Sequence, residues 1–412
     1  MLSFFVCLSF LICSVGAGNA SAITVEEWDS YYSGESIKSA QAMFPGSDES
    51  ERNFSWYSAL DSGNCWVEIS ENADLSEAVT FSGTWIQTPQ GDRTNKVTAT
   101  GLEEGTTYYY ACCTDLGKSE TRTFTTDEGD SFSAVYVTDI HISDESMQGT
   151  NAAGTDKCKD QAYYFNQTLE AALSNNDDIS LLLSAGDQAS SGYRNEYEGL
   201  ASAPNTFGLT WGLVPGNHDL KNVNYRYFTN NPNESKDLYP KSYIASDYWF
   251  VKGDVLFLMM DSNCANTIAH RKFMKQAIEQ NPDVKWRVMM FHHELYGGRL
   301  PHRESDNALL RLIWTPLVDE FSVDLVLMGH SHYYSVSDVI YDNKSVQKTS
   351  QNCTVTNPEG SIYMVSGSIN RPREYKEDTP LGDKIGYAYL PEENDTIYNI
   401  IDFSEDSIKV SS

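Results

Sequence analysis

The sequence predicts an all-β sandwich followed by an α/β domain. From about residue 36, short runs with period-two alternation, such as ERNFSWYS, CWVEIS and TYYYACC, are separated by turn signals. This pattern is typical of a sandwich of short strands. Downstream of residue 130, apolar runs alternate with amphipathic segments, which is typical of an α/β domain. The two compositions adjoin near residues 127 to 131, so we place the boundary between residues 129 and 130.

The first 22 residues, MLSFFVCLSFLICSVGAGNASA, predict a secretory signal peptide. They are apolar over about the length of an h-region and end on Ala20-Ser21-Ala22, which fits a cleavage site of the A-x-A type. The run is short for a membrane span, which needs about 20 residues. No later segment is apolar enough to cross a membrane. We expect a secreted or extracytoplasmic protein without stable membrane insertion, with domains over residues 23–129 and 130–412.

The predicted sandwich has features of a fibronectin type III-like domain. The segment GLEEGTTYYY, with Leu102, Gly105 and Tyr108, resembles the tyrosine corner of such domains. Trp56 lies where an early-strand core tryptophan would. Nothing in this region looks catalytic, so we expect it to position or shield the domain that follows.

Six cysteines remain after removal of the predicted signal peptide: Cys65, Cys112, Cys113, Cys158, Cys264 and Cys353. An even number in a secreted chain allows up to three disulfides. Because adjacent Cys112 and Cys113 would point to opposite faces of a strand, at most one of them could pair with Cys65. Small, buried, unpaired thiols fit the sequence equally well.

Five apolar runs after residue 130 predict buried strands that end in polar residues: FSAVYVTDIH, ISLLLSAGD, WGLVPGNHD, WRVMMFHHE and DLVLMGHSH. Between them, KDQAYYFNQTLEAALSNN, RKFMKQAIEQ and NALLRLIWTPLVDEF predict helices. The carboxyl ends of neighbouring strands meet at one edge of such a fold. We therefore expect the polar residues at these ends to converge: Asp139, His141, Asp187, Asn217, His218, His292, His293, His330 and His332.

These side chains have the composition of a dinuclear metal site. Imidazole, carboxylate and one amide oxygen, without thiolate, suit Zn, Fe or Mn, and the donors are too many for one ion. Two ions can bind a phosphoryl oxygen and activate a water. In GHSH, an extended backbone would point His330 and His332 to the same side and Ser331 away, and Gly329 would let the backbone approach closely.

The blocks DIH, GD, GNHD, a His-containing strand end and GHSH, in this order, resemble the five-block signature of the calcineurin-like metallophosphoesterase superfamily. With the preceding sandwich, residues 36–412 are similar to purple acid phosphatase-like proteins. The resemblance implies two mixed β-sheets packed face to face and flanked by helices. It also implies hydrolysis of small phosphate esters by a metal-bound hydroxide.

The resemblance assigns the donors to two divalent or trivalent ions, Fe, Mn or Zn. It implies that one ion is held by Asp139, His141, Asp187 and His332, and the other by Asp187, Asn217, His292 and His330. His218 would contact the phosphate, and His302 would protonate the leaving alkoxide. His292 is preferred to His293 as the ligand because it aligns with the strand end, which leaves His293 to contact a ligand or the substrate. Ser190 stands where purple enzymes have a tyrosine, so we expect a colourless protein.

The formal net charge of −29 disfavours nucleic acid or an anionic membrane as a partner. Two bound cations would reverse the potential locally; Arg299, His302 and Arg303 either assist them or form a solvated basic patch. We expect phosphomonoesters as substrates. The alternatives are a phosphodiesterase of the same fold and a non-catalytic surface-binding protein with a retained scaffold.

Overall fold

The computed structural model describes residues 23–32, 41–143, 157–174, 176, 178–238, 244–296, 304–370, 384–389 and 396–412. The predicted signal peptide and the loop that contains Arg299, His302 and Arg303 lie outside these ranges. Within them, no helix combines the length and the apolar character needed to cross a membrane.

The amino-terminal region is a sandwich of two antiparallel sheets. Its strands are β1 (Gln41–Pro45), β2 (Glu51–Ser58), β3 (Cys65–Ser70), β4 (Val79–Ser82), β5 (Thr84–Gln87), β6 (Arg93–Thr100), β7 (Thr107–Thr114), β8 (Gly117–Lys118) and β9 (Arg122–Thr125). One sheet has the order β1-β2-β6-β5, and the other has the order β4-β3-β7-β8, with β9 also paired to β7. The alternating residues of the two inner faces, including Trp56 and Tyr108, form the core. The Tyr108 hydroxyl accepts a hydrogen bond from the Glu103 N–H at 2.9 Å, as in a tyrosine corner.

The α/β domain contains two mixed sheets, as predicted. The five-stranded sheet has the order β12-β11-β10-β22-β23, and the seven-stranded sheet has the order β13-β14-β15-β16-β20-β17-β21. The strands are β10 (Phe132–Val137), β11 (Ile179–Ser184), β12 (Thr210–Leu213), β13 (Tyr248–Lys252), β14 (Val255–Met259), β15 (Trp286–Met290), β16 (Leu325–Met328), β17 (Tyr334–Ser337), β18 (Val339–Tyr341), β19 (Lys344–Gln347), β20 (Ile362–Val365), β21 (Ile385–Tyr389), β22 (Asn399–Phe403) and β23 (Ile408–Ser411). Strands β18 and β19 form a separate hairpin.

The two sheets pack face to face, and helices cover their outer faces. The helices are α1 (Val25–Tyr32), α2 (Lys157–Leu173), α3 (Arg194–Ser202), α4 (Asn224–Phe228), α5 (Thr267–Gln280) and α6 (Glu304–Glu320). Tyr136 and Leu183 of one sheet share a core with Phe257 and Met290 of the other. The predicted stripe of α2 is buried on the five-stranded sheet at Ala162, Phe165 and Leu169 and partly buried at Leu173, while α5 and α6 cover the seven-stranded sheet. These layers confirm the predicted fold class.

Helix α1 packs on the α/β domain, although it precedes the sandwich in the chain. Trp28 is buried in the core that contains α2, and its indole N–H donates to the Lys159 carbonyl at 2.9 Å. The Tyr31 hydroxyl donates to the Ser202 carbonyl at the end of α3. The segment before residue 33, which we predicted as part of the first domain, therefore packs with the second.

Ion pairs also join the sandwich to the α/β domain. Glu49 contacts Arg52 Nη2 at 2.5 Å and Lys252 Nζ, on β13, at 2.7 Å. Lys252 also pairs with Asp127. Burial alone would raise the pKa of Glu49, but the charges of Arg52 and Lys252 outweigh it and lower that pKa to about 2. Glu49 is thus an ionised contact between the domains.

The six cysteines, all within the described residues, are free thiols, so none of the disulfides that the sequence allows is present. Cys65 and Cys112 lie in the sandwich core, and Cys113 lies on the opposite face of β7. The interpretation as small buried residues holds for these three and for Cys158. Cys353, by contrast, is exposed.

Candidate metal centre

The predicted donors gather at the carboxyl ends of strands from both sheets. Asp139 and His141 follow β10, Asp187 follows β11, and Asn217 and His218 follow β12; these three strands are parallel neighbours. His292 follows β15, and His330 and His332 follow β16, its parallel neighbour in the other sheet. The sheet topology therefore delivers all the donors to one end of the domain.

The first group of donors consists of Asp139, His141 and His332, all buried, with ligand atoms within 4.8 Å of one another. The Nε2 atoms of His141 and His332 are 3.1 Å apart. Asp139 Oδ1 lies 3.2 Å from His332 Nε2 and 3.8 Å from His141 Nε2. Two imidazole nitrogens and a carboxylate oxygen that converge in this way are a donor set for Zn, Fe or Mn.

The second group consists of Asp187, His292 and His330. His292 Nε2 lies 3.4 Å from Asp187 Oδ2 and 3.1 Å from His330 Nδ1. On its other side, His292 Nδ1 is 2.8 Å from the Ala185 carbonyl oxygen. A proton on Nδ1 donates to that carbonyl and leaves Nε2 as the lone-pair atom inside the site.

Asp187 joins the two groups. Its Oδ2 atom lies 3.7 Å from His141 Nε2 of the first group, in addition to its contact with His292 of the second. Its Oδ1 atom accepts a hydrogen bond from the His218 N–H at 2.8 Å. One carboxylate oxygen thus faces imidazoles of both groups, which is the arrangement required of a bridging ligand.

Asn217 offers a further oxygen. Its Oδ1 atom is buried and has no hydrogen-bond partner among the described residues. A buried oxygen without a partner costs free energy, so such an atom normally has a ligand or an ion beside it. Its neighbours Gly216 and His218 both contact Asp187: a Cβ on Gly216 would lie 2.7 Å from Asp187 Cγ. A metal ion beside Asp187 would satisfy this oxygen, so the donors fit a dinuclear centre.

The backbone of the site is strained in a way that the sequence did not reveal. Five donor residues have positive φ: Asp139 (50°), His141 (55°), Asp187 (53°), His330 (75°) and His332 (65°). Non-glycine residues seldom adopt this left-handed region, and such strain concentrates at functional sites. Our prediction of an extended GHSH segment is therefore wrong. His330 and His332 do face the site, but a turned loop directs His330 to His292 and His332 to His141.

Gly329 makes the close approach that we predicted. A Cβ on this residue would lie 2.7 Å from Asp139 Oδ2 and nearer still to Thr138 Oγ1. Asp139 Oδ2 accepts hydrogen bonds from Thr138 Oγ1 at 2.9 Å and from the His330 N–H at 2.8 Å. The loop after β16 is thereby fixed to the loop after β10, and Asp139 Oδ1 remains directed at the imidazoles.

The electrostatics of the cluster favour cations. Burial would raise the pKa of Asp187, but the nearby imidazoles of His292 and His141 outweigh it and lower that pKa well below its usual value. Burial would likewise lower the pKa of His292, but the charge of Asp187 raises it. Asp187 is thus ionised and needs positive charge beside it; a metal ion would supply that charge and would displace the second proton of His292 from Nε2.

Comparisons with known proteins agree with this geometry. Residues 132–334 match the family model described as Calcineurin-like phosphoesterase, and residues 38–126 match that described as Purple acid Phosphatase, N-terminal domain. The chain is a metallophosphoesterase. No curated protein gives a significant match to it. The likeness of the sandwich to fibronectin type III stays a prediction.

Two solved structures share the fold over most of the chain. The purple acid phosphatase PPD1 from yellow lupin (Lupinus luteus) seeds has a TM-score of 0.64 at 13% identity, covering 88% of this chain and 69% of its own. PhoD has a TM-score of 0.58 at 12% identity, covering 96% of this chain and 90% of its own. At identities of 13% and 12%, these two likenesses show the fold alone, which is a metallophosphoesterase domain preceded by a sandwich.

Three further histidines were predicted near the metallophosphoesterase site. His218 is half-buried, its ring centre lies 4.9 Å from that of His141, and its Nδ1 is 2.6 Å from the Ser190 carbonyl oxygen. His293 has its Nδ1 2.8 Å from Ser262 Oγ and its ring 4.7 Å from that of His330. The structure therefore places both beside the donors, whereas His302 lies outside the described residues.

The sequence analysis did not predict a role for Asp219. This buried carboxylate accepts hydrogen bonds from the Gly216 N–H at 2.9 Å, the Ala189 N–H at 3.0 Å and the Tyr197 hydroxyl at 2.9 Å. It thus connects the loop after β11, which carries Asp187, to the loop after β12, which carries Asn217. The signal was present as the last letter of the GNHD block, but a turn-forming Asp is common after a strand.

Proposed function

We propose that this metallophosphoesterase is an exported enzyme that hydrolyses phosphomonoesters at a dinuclear metal centre. The observation that carries the proposal is the position of Asp187 Oδ2, 3.7 Å from His141 Nε2 and 3.4 Å from His292 Nε2. One carboxylate is then shared between two donor groups. When bound, the two ions supply an activated water and charge stabilisation for the phosphoryl group.

The residues divide into ligands and groups that act on the substrate. The ligands are Asp139, His141, Asp187 and His332 for one ion, and Asp187, Asn217, His292 and His330 for the other. His218, tied to the Asp187 carboxylate through its own N–H, binds the phosphate and stabilises charge in the transition state. His302 donates a proton to the leaving alkoxide.

Three observations support the phosphatase activity, the export and the role of the bound cations. The match of residues 38–126 to the purple acid phosphatase N-terminal domain favours a phosphatase. The apolar leader and its Ala20-Ser21-Ala22 ending favour export. Because the net charge of −29 gives a phosphate ester no attraction to the surface, the bound cations must supply the local positive potential.

The test compares two substrates and two variants. Protein loaded separately with Fe, Mn or Zn is assayed with p-nitrophenyl phosphate and with bis-p-nitrophenyl phosphate. We expect faster turnover of the monoester and loss of turnover in Asp187→Asn. Asp402→Asn, which changes a carboxylate on β22 that pairs with Lys409, is the matched control and should behave as wild type.

The outcomes separate the alternatives. Predominant turnover of the diester would make the protein a phosphodiesterase. A chain that binds two ions yet hydrolyses neither ester would support the non-catalytic surface-binding alternative. Export is tested by expressing the full chain in a secretory host and sequencing the amino terminus of the product; a start at Ile23 is expected, and a protein retained with its leader would contradict it.

A further inference from the structure

We propose that the amino-terminal sandwich binds a neutral polysaccharide, a role that goes beyond the proposed hydrolysis. The binding surface is an open groove of about 640 Å³, here called the tryptophan groove. It lies where the chain crosses from β4 in one sheet to β5 in the other. The side chains that line it include Asn64, Trp66, Thr80, Ser82, Thr84 and Trp85.

Two indole rings form the apolar surface of the tryptophan groove. Trp85 is 46% exposed, whereas tryptophan in a soluble domain normally buries most of its surface. The Arg93 guanidinium lies 5.1 Å from the centre of the Trp85 ring. Trp66 is half-buried, and its indole N–H donates to Glu68 Oε1 at 3.2 Å. Because both rings are held by neighbours, a ligand that stacks on them loses little affinity to side-chain ordering.

The crossing between the two sheets holds β4 and β5 in place beside the groove. Gly83 separates β4 from β5, and its N–H donates to the Cys65 carbonyl at 2.9 Å. A Cβ at this position would lie 3.1 Å from the Lys96 carbonyl carbon and closer to its oxygen. Only glycine allows the chain to lie this close to β6, so the floor of the groove is tightly packed.

The polar part of the groove consists mainly of hydroxyl groups. Ser82 is paired with Trp66 and Thr80 with Glu68 across β3 and β4, on the face of this sheet opposite Val67 of the sandwich core. Within the described part of the chain, no residue forms a hydrogen bond with the hydroxyls of Thr80, Ser82 or Thr84. These groups can both donate and accept hydrogen bonds.

This chemistry matches a sugar chain more closely than other ligands. A hexose presents an apolar C–H face, which stacks on an indole, and a rim of hydroxyls that donate and accept. The net charge of −29 disfavours a polyanion. Of the cations near the groove, Lys118 pairs with Glu68 at 3.7 Å, and Arg93 is buried and donates to the Gly63 carbonyl. A proline-rich peptide also binds aromatic grooves, but it brings few donors to a row of hydroxyls. We therefore assign the groove to a neutral polysaccharide.

The test uses the full-length protein in native affinity electrophoresis. The gels contain laminarin, xylan, galactomannan or, for comparison, polygalacturonate. We expect retardation by at least one of the three neutral polymers and none by the polyanion. Trp85→Ala should weaken that retardation about tenfold, since a stacking tryptophan is a typical energetic centre of a binding surface. Leu116→Ala, a matched change of a side chain that is 68% exposed on the same domain, should have no effect.

Hydrolysis of p-nitrophenyl phosphate is measured in the same preparations. Trp85→Ala should retain full turnover, so loss of polysaccharide binding is distinguishable from failure of the proposed enzyme activity. Absence of retardation by all three neutral polymers would overturn the assignment, as would retardation that Trp85→Ala leaves unchanged. Binding of a polyproline peptide that depends on Trp85, without polysaccharide binding, would reassign the groove to a peptide.

Discussion

Replacement of Gly329 by alanine tests the geometry of the metal site from outside its ligand set. The added Cβ would lie 2.7 Å from Asp139 Oδ2, against an ordinary contact of at least 3.4 Å, and closer still to Thr138 Oγ1. To relieve this overlap, the loop after β16 must move by an amount on the order of 1 Å. A displacement of this size at a catalytic centre costs about 100-fold in rate. Overpacking should also lower the free energy of unfolding by roughly 1–3 kcal/mol.

The assay is turnover of p-nitrophenyl phosphate at saturating metal, combined with thermal unfolding. Gly91→Ala is the control for a loss of stability alone. Its φ of 91° strains an alanine, but a Cβ there meets no atom within 4 Å and the residue lies in the sandwich, so its turnover should stay at the wild-type level. Thr138→Ala in the Gly329→Ala background removes the hydroxyl that is nearest to the new methyl group and should recover part of the rate. Wild-type turnover and metal content in Gly329→Ala would refute the close approach of the two loops.

Three other changes probe the phosphate site, the second ion and the domain contact. His218→Ala should retain both ions while turnover falls by about 10²–10³; near-normal turnover would remove His218 from catalysis. Asn217→Ala should lower the metal content towards one ion per chain; two tightly held ions would exclude Asn217 as a ligand. Glu49→Gln should lower the unfolding free energy at pH 7 by up to roughly 3 kcal/mol. The folded pKa of Glu49, about 2, lies below the ordinary glutamate value of 4.5, so its stabilisation is complete above pH 4.5 and lost as the pH falls towards 2. A difference between wild type and Glu49→Gln that does not shrink in acid would contradict this pairing.

The strands that carry the site were predictable from the sequence because their pattern is local. Each of the five apolar runs forms the strand expected of it, and the polar residues after it lie at the same end of the domain. The stripe of Ala162, Phe165 and Leu169 likewise identified the buried face of α2. The spacing of apolar residues along a short segment predicts both the type of element and its buried face, so a single sequence is enough to show them.

The loops were not predictable in the same way. The positive φ values of Asp139 and His330 arise because several loops must meet, and no local pattern encodes them. The packing of Trp28 on α2 joins residues more than a hundred positions apart, and its short helix carries little periodic signal. Asp219 acts through backbone N–H groups of two loops, which sequence patterns do not display.

If Asp187 joins two cations, anomalous diffraction from crystals of the metal-loaded protein will locate both of them. We expect two anomalous peaks about 3.5–4 Å apart, one beside His141 and His332 and the other beside His292 and His330, with the Asp187 carboxylate between them. A single peak, or two peaks that share no contact with Asp187, would contradict it.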